Sequence, residues 1–146
     1  MNLKHGLISV DDHVVEPPDL WISRLSRTKW GDRIPHLATG SDGSEYWVVD
    51  GQPLHQSRLP EVGAALPDRI VEPRRWSDVP AAAYDATARL KAMDADGVDY
   101  SALYPSVAGL AGETFGRLTD PDLELACVQA YNDWLIDEWA AASERF

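Results

Sequence analysis

The sequence predicts an α/β fold built on a parallel sheet, and three observations support this prediction. A segment rich in β-branched residues at 7–15 has the composition of a strand. Two longer segments, 79–96 and 120–142, place apolar residues at helical spacing. A short apolar segment at 98–104 lies between them, so the order is strand, helix, strand, helix. This alternation is typical of parallel sheets.

The composition is that of a globular chain and excludes several protein classes. The 146 residues suit one domain or part of a larger one, and 45% hydrophobic with 25% charged residues is ordinary usage. The chain contains no apolar run of the roughly 20 residues that cross a bilayer. We expect no secretory signal, because residues 1–6 carry one lysine and no long apolar core follows them. The net charge of -11 disfavours a nucleic-acid partner. Because Cys127 is the single cysteine, no internal disulfide can form, and we expect a cytoplasmic protein. We also expect no membrane partner, since no apolar run is long enough to cross a bilayer.

The first predicted strand, 7–15, ends before Pro17 and Pro18, which cannot continue a ladder of backbone hydrogen bonds. Side chains alternate between the two faces of a strand. Alternation assigns one face to Leu7, Ser9, Asp11 and His13, and the other to Ile8, Val10, Asp12 and Val14. The face that carries Asp11 and His13 therefore becomes polar towards the carboxyl end of the strand.

Residues 16–79 are irregular and proline-rich, which predicts a long insertion that covers part of the fold. One hairpin is expected inside it, with arms at 46–49 and 52–54. The Asp50-Gly51 pair between them supplies the positive φ angles of a type I′ turn. Proline at position 53 confines the returning arm to the edge of a sheet.

The second strand-helix unit begins with a helix predicted over 79–96, capped by Ser77 or Asp78. Gly97 is expected to end this helix in the left-handed conformation. The strand at 98–104 follows directly. A helix that ends in glycine and leads into a strand is half of a βαβ unit.

The last helix is predicted to begin at Asp120 or Asp122 and to run to about Ala142, with Pro121 in its first turn. Its apolar face covers roughly half of the circumference, which is wide enough to pack on a sheet. Glu138 falls among these apolar positions, and the sequence suggests no partner for it.

One constellation in the sequence carries chemistry, the pair Asp11 and His13 at the end of the first strand. Positions i and i+2 of a strand point the same way, roughly 6.5–7 Å apart along the chain, so a carboxylate and an imidazole can converge on one cation. Both are ligands of zinc and similar metals, and parallel α/β folds place active sites at this end of their strands. The alternative is a surface aspartate beside a hydrogen-bonded histidine.

The other histidines and the aromatic residues carry weaker functional signals. His5 precedes the first strand and is expected to be exposed, whereas His36 and His55 lie in the insertion and reach a site only if the insertion folds back. Cys127, in a helix interior, is expected to be buried rather than nucleophilic. Core packing is the expected role, and pocket lining the alternative, for Trp21, Trp30, Trp47 and Trp76.

Three segments are similar to the N-terminal part of the amidohydrolase-related family of metal-dependent hydrolases and non-oxidative decarboxylases. They are ISVDDHVVEPPDLW at 8–21, RLKAMDADGVD at 89–99 and AYNDWL at 130–135. The resemblance covers nearly the whole chain but less than half of a usual member, which is a single (β/α)8 TIM barrel. It implies that residues 1–146 are the N-terminal fragment of one such barrel domain, with about two strand-helix units and the insertion at 16–79.

The resemblance also implies a metal site. Asp11 and His13 match the acidic variant of the His-x-His motif at the end of the first strand, whether Asp11 binds the metal directly or orients a ligand or water. The further ligands and the catalytic residues are expected beyond Phe146. Glu16, Tyr104 and Ser106, at or next to the ends of the two predicted strands, are the candidates for substrate contact.

The activity implied by the resemblance is hydrolysis of a C–N or C–C bond by metal-activated water, with zinc as the expected divalent ion and manganese as the alternative. The substrate is expected to be a small carboxylate or amide, and a homo-oligomer is left open. A non-oxidative decarboxylase (carboxy-lyase) of an aromatic or semialdehyde acid is the alternative activity, and a non-catalytic α+β binding module is the alternative from another class. We expect the 146-residue chain alone to be inactive, because a zinc site needs about three protein ligands.

Overall fold

A computed structural model describes residues 3–54, 59–60, 72–109 and 112–146 of this chain. The strands and helices in chain order are β1 (Ile8–Val14), α1 (Leu20–Arg24), α2 (Arg27–Trp30), β2 (His36–Thr39), β3 (Glu45–Val49), β4 (Gln52–Pro53), α3 (Ala86–Asp96), β5 (Tyr100–Pro105) and α4 (Pro121–Trp134). The last helix continues as a π-helical segment over Leu135–Ala140. Short 3-10 turns lie at Gly31–Arg33, Trp76–Asp78, Ala81–Ala83 and Phe115–Arg117.

The strands β1 and β5 are parallel neighbours, which confirms the predicted pairing of the two strand-helix units. Their register contains a β-bulge that the sequence did not predict. Ser9 pairs with Ser101 and Asp12 with Leu103, so three steps along β1 match two steps along β5. An extra residue in one strand changes the face on which the preceding side chains lie.

The bulge makes the expectation of strict alternation along β1 wrong in its first half. Asp11 and His13 still lie on the face opposite to Val14, which is fully buried. However, Ile8 and Val10 are also exposed, Val10 at 68%, and do not share the buried face of Val14. The open face of the two-stranded sheet is therefore apolar near its amino end and polar near its carboxyl end.

The insertion contains the predicted hairpin. The strands β2, β3 and β4 form an antiparallel sheet in that order, with β4 at its edge as the proline in it requires. Asp50 and Gly51 have φ angles of 53° and 71°, as a type I′ turn needs. His55 and most of the following residues to 71 lie outside the described part of the chain.

The helix α3 begins later than predicted, at Ala86 instead of Val79, and the N-terminal cap is neither Ser77 nor Asp78. The side chain of Asp85 accepts a hydrogen bond from the Ala88 amide and caps the helix. The preceding residues form two 3-10 turns, because Val79 and the proline after it are extended. The predicted end is confirmed: Gly97 is left-handed, and β5 begins three residues later.

The helix α4 confirms the predicted start. Of the apolar face predicted for this helix, Leu123, Cys127, Ala130, Trp134 and Trp139 are buried, whereas Ala141 and Ala142 are exposed. The side chain of Asp120 accepts hydrogen bonds from the amides of Asp122 and Leu123, so Asp120 is the cap. Glu138, for which the sequence suggested no partner, pairs with Arg24 at 3.1 Å.

Trp21 in α1 joins the insertion to the helical layer and forms the centre of the core. Its ring lies edge-to-face against Trp47 and Phe115, with centroids 5.4 and 5.5 Å away, and its indole N–H donates to the carbonyl of Cys127 at 3.0 Å. All of these residues are buried. The expectation that Cys127 is buried is therefore confirmed. The four tryptophans expected in the core lie in it or pack against it: Trp21, Trp30, Trp47 and Trp76.

The end of α3 gives a test of the fold. Gly97 has a φ of 71°, a conformation that costs a residue with a Cβ atom roughly 1–2 kcal/mol. We expect Gly97→Ala to lower the free energy of unfolding by about this amount. In the control Gly116→Ala, the new Cβ meets open space, and the change should be below about 0.5 kcal/mol. Urea unfolding measures both, and equal losses would contradict the assignment of Gly97 as the cap.

Candidate metal centre

Asp11 and His13 converge at the carboxyl end of β1. The Oδ1 atom of Asp11 lies 3.7 Å from Nε2 of His13, and the two side chains are 84% and 47% exposed. Two donors that are each about 2.1 Å from one zinc ion at a tetrahedral angle lie about 3.4 Å apart. The pair is therefore spaced to share a metal ion after a small side-chain adjustment. Its role as a ligand pair remains a prediction.

The His13 ring is oriented by a backbone carbonyl. Its Nδ1 atom lies 2.9 Å from the carbonyl oxygen of Pro105 at the end of β5. A carbonyl only accepts hydrogen bonds, so Nδ1 carries the proton and donates it. In the neutral ring, Nε2 then keeps its lone pair and faces Asp11. Metal-binding histidines are commonly held in this way, with the non-ligating nitrogen bonded to a carbonyl.

A buried arginine holds the backbone of His13 from the helix side. Arg89 in α3 donates to the carbonyls of His13 at 2.8 Å and Ala82 at 2.6 Å. Burial lowers the pKa of Arg89, and the charge of Asp12, 4.0 Å away, partly offsets this effect. Asp12 also accepts a hydrogen bond from the hydroxyl of Ser101. Asp12 thus belongs to the structural side of the strand, and Asp11 belongs to its open side.

Glu16 is fully buried, with no exposed surface, and its carboxylate is enclosed by the loop that follows β5. Its oxygens accept hydrogen bonds from three successive amides, Ser106 at 3.2 Å, Val107 at 2.9 Å and Ala108 at 3.2 Å. Burial raises the pKa of Glu16 to about 7, although the amide hydrogen bonds partly oppose this shift. The oxygens of Glu16 are thus engaged by amides of the loop. A role for Glu16 in substrate contact remains a prediction.

Of the other two candidates for substrate contact, Tyr104 joins the pair on the open face. Tyr104 is the register partner of His13, and the two ring centroids are 6.1 Å apart. Ser106 lies in the loop and is half-buried, and its amide is one of the donors to Glu16. The structure thus brings Asp11, His13 and Tyr104 together, and it brings Glu16 to Ser106 in a separate contact.

Of the other candidates that the structure describes, neither His5, His36 nor Cys127 joins this site. The ring of His36 in β2 bonds to the carbonyl of Ile34, and His5 lies at the opposite end of β1, exposed as expected. Burial raises the pKa of Cys127 to about 12, which opposes a nucleophilic role. Within the residues that the structure describes, no three His, Cys, Asp or Glu side chains converge on a common metal position.

Sequence reasoning missed Arg89 and the carbonyl of Pro105 as parts of the site. A signal for Arg89 was present, because it lies three residues after Ala86 and four before Met93, both buried on α3. A charged residue on the buried face of a helix needs partners. No residue pattern marks a backbone carbonyl, so the partner of His13 follows only from the register of the strands.

Comparisons with known proteins support the fold. No protein-family model and no curated protein matches the sequence. Among solved structures, the chain is similar to the amidohydrolase map2389c from Mycobacterium avium subsp. paratuberculosis K-10, with a TM-score of 0.65 and 20% sequence identity. The match covers 94% of this chain and 40% of that chain. This chain therefore has an amidohydrolase-like α/β fold over a length that is less than half of that neighbour. None of the helices in the described ranges is long and apolar enough to cross a bilayer.

The buried carboxyl of Glu16 predicts a specific pH dependence of stability. Between about pH 4.5 and pH 7, the unfolded chain ionises Glu16 while the folded chain keeps it protonated. The free energy of unfolding should therefore fall as pH rises through this window, by roughly 3 kcal/mol. The Glu16→Gln variant cannot titrate there and should lack this fall in urea unfolding measured across the window.

The matched control for this measurement is Asp99→Asn. Burial raises the pKa of Asp99, but hydrogen bonds from the amides of His5, Gly6 and Lys4, together with the charge of His5, outweigh it and leave the pKa lowered. The stabilising contribution of Asp99 is therefore lost only as pH falls below about 4, so this variant should keep the wild-type fall between pH 4.5 and 7. An unchanged pH dependence in Glu16→Gln would rule out Glu16 as its source.

Proposed function

We propose that this chain contributes the first part of the active site of a metal-dependent hydrolase, with Asp11 and His13 as ligands of a divalent ion. The observation that carries the proposal is the geometry of His13. Its Nδ1 proton is committed to the Pro105 carbonyl, while Nε2 faces the carboxylate of Asp11 at 3.7 Å. The location supports it as well, because parallel α/β folds bind their ligands at the carboxyl ends of the strands.

A metal bound here would supply a water of lowered pKa as a nucleophile near neutral pH, and zinc suits the nitrogen and oxygen donors. The chain's own residues would orient the site. Asp11 provides an exposed carboxylate, and His13 provides an imidazole with a fixed tautomer. Arg89 in α3 donates a hydrogen bond to the backbone carbonyl of His13 and so ties this residue to the helix.

The open face supports a small organic substrate. Val10 and Ala102 are exposed on it, and the exposed ring of Tyr104 stands beside His13. An apolar surface next to a metal ion suits a carboxylate or amide with an organic body. The solved neighbour is named an amidohydrolase, which favours hydrolysis over decarboxylation. The cytoplasm, a reducing compartment, remains our proposed location, because the chain carries one free cysteine.

Zinc titration tests the ligand assignment. We expect Zn²⁺ to shift the ¹⁵N resonance of Nε2 in His13, and we expect Asp11→Asn and His13→Gln to weaken binding at least about tenfold, because each removes a donor. The matched control is Asp12→Asn, which changes the neighbouring aspartate on the other side of the strand and should bind Zn²⁺ as the wild type does. If all three variants bind Zn²⁺ equally well, the assignment is wrong.

A further inference from the structure

Two buried carboxylates join the strands β1 and β5 at their opposite ends. At the carboxyl end, Glu16 follows β1 and accepts hydrogen bonds from the three amides of 106–108, which follow β5. At the amino end, Asp99 precedes β5 and accepts hydrogen bonds from the three amides of 4–6, which precede β1, at 2.7 to 3.1 Å. Each contact therefore links a segment that flanks one strand to the segment that flanks the other strand at the same end.

Only the Glu16 contact lies next to the candidate ligands. The first amide that it accepts belongs to Ser106, and the preceding residue, Pro105, provides the carbonyl that accepts the proton of Nδ1 in His13. The peptide group between Pro105 and Ser106 is planar and contains both this carbonyl and this amide. A carboxylate that fixes the amide therefore also fixes the direction of the carbonyl.

We propose that Glu16 is a positioning residue, which sets the tautomer and ring orientation of His13 through the peptide group between Pro105 and Ser106. The functional value of this role rests on the proposed metal site, but the effect on the ring belongs to the chain itself. The side chain of Arg89 holds the backbone of His13, because it donates a hydrogen bond to the His13 carbonyl. The imidazole is thus placed by backbone groups of β1 and β5, which buried charged side chains hold in turn.

The three donors explain why a carboxylate is needed here. An ionised carboxylate only accepts hydrogen bonds and has about four lone-pair sites on two oxygens, so it can satisfy three N–H groups. A glutamine at position 16 offers one acceptor oxygen, and its NH₂ group would meet at least one donating amide of the loop. The loop must then move, and the carbonyl of Pro105 moves with it.

The test is the imidazole ¹⁵N spectrum of His13 in the metal-free protein at about pH 9, where imidazoles are neutral and Glu16 is ionised. The wild type should show the Nδ1-protonated tautomer. In Glu16→Gln, we expect the ratio of this tautomer to the Nε2-protonated one to fall roughly fivefold, as loss of one ordinary hydrogen bond implies. The matched control, Asp99→Asn, removes an equivalent contact at the far end and should leave the ratio unchanged.

Three results would overturn the proposal. They are an unchanged ratio in folded Glu16→Gln, an equal change in both variants, and a wild type without the Nδ1-protonated form. If Glu16→Gln does not fold, Glu16→Asp decides, because its shorter carboxylate keeps the charge but cannot reach all three amides. A partial fall of the ratio in that variant supports the proposal, and no fall overturns it.

A zinc titration of the same variants separates this proposal from the proposed function. Glu16→Gln should bind Zn²⁺ roughly tenfold more weakly than Asp99→Asn, because the Pro105 carbonyl would no longer hold the His13 ring in place. If the wild type does not bind Zn²⁺ but the tautomer ratio responds as expected, the hydrolase proposal fails and the positioning role of Glu16 stands.

Discussion

The carboxylate of Glu16 joins the two chain segments on which the candidate site depends. Burial of a carboxyl group is costly, and the pKa of about 7 expresses this cost. This cost is tolerated because the Glu16 carboxylate is the hydrogen-bond acceptor for the three amides of 106–108, which would otherwise lack an acceptor. Without this contact the loop after β5 would need other partners for these amides. The position of Pro105, and with it the orientation of His13, follows from the same contact.

The rest of the structure protects one side of the parallel sheet and leaves the other open. Trp21 brings the hairpin of the insertion and the helix α4 into one core on the protected side. The side chains of Asp12 and Arg89 lie at the sheet on this same side and satisfy each other and the backbone there. The exposed side chains of the candidate ligands, Asp11 and His13, lie on the open side. The insertion therefore packs into the core on the protected side. Its described residues contribute no candidate ligand to the site.

The local features were predictable where one residue type determines the backbone. The Asp50-Gly51 turn, the left-handed Gly97 and the Asp120 cap each follow from the conformational preference of a single residue or pair. The start of α3 was not predictable in the same way, because Ser77, Asp78 and Asp85 are all good caps. The carbonyls of Ala82 and Ala83 accept hydrogen bonds from the Arg89 side chain and the Val15 amide, and the helix begins after them with Asp85 as its cap.

The long-range features of the site were only half predictable. The sequence placed Asp11 and His13 together because positions i and i+2 of a strand share a face. The two side chains stay 3.7 Å apart although Asp11 lies within the bulge, between Ser9 and Asp12. The bulge itself depends on the pairing with β5, which residue types do not reveal. The burial of Glu16 was equally hidden, because its partners are backbone amides about 90 positions away.

The support for His13 is complete within the two strand-helix units described. One ring nitrogen is held by β5, the main chain is held by α3, and the carbonyl that orients the ring is fixed from the end of β1 through Glu16. All of these contacts are made inside a segment that spans 40% of the similar amidohydrolase chain. The orientation of the His13 ring therefore does not depend on the residues that would complete the proposed metal site. A metal ion that binds here would therefore find the imidazole of His13 already oriented. The conformational entropy of that side chain would have been lost on folding and not on metal binding.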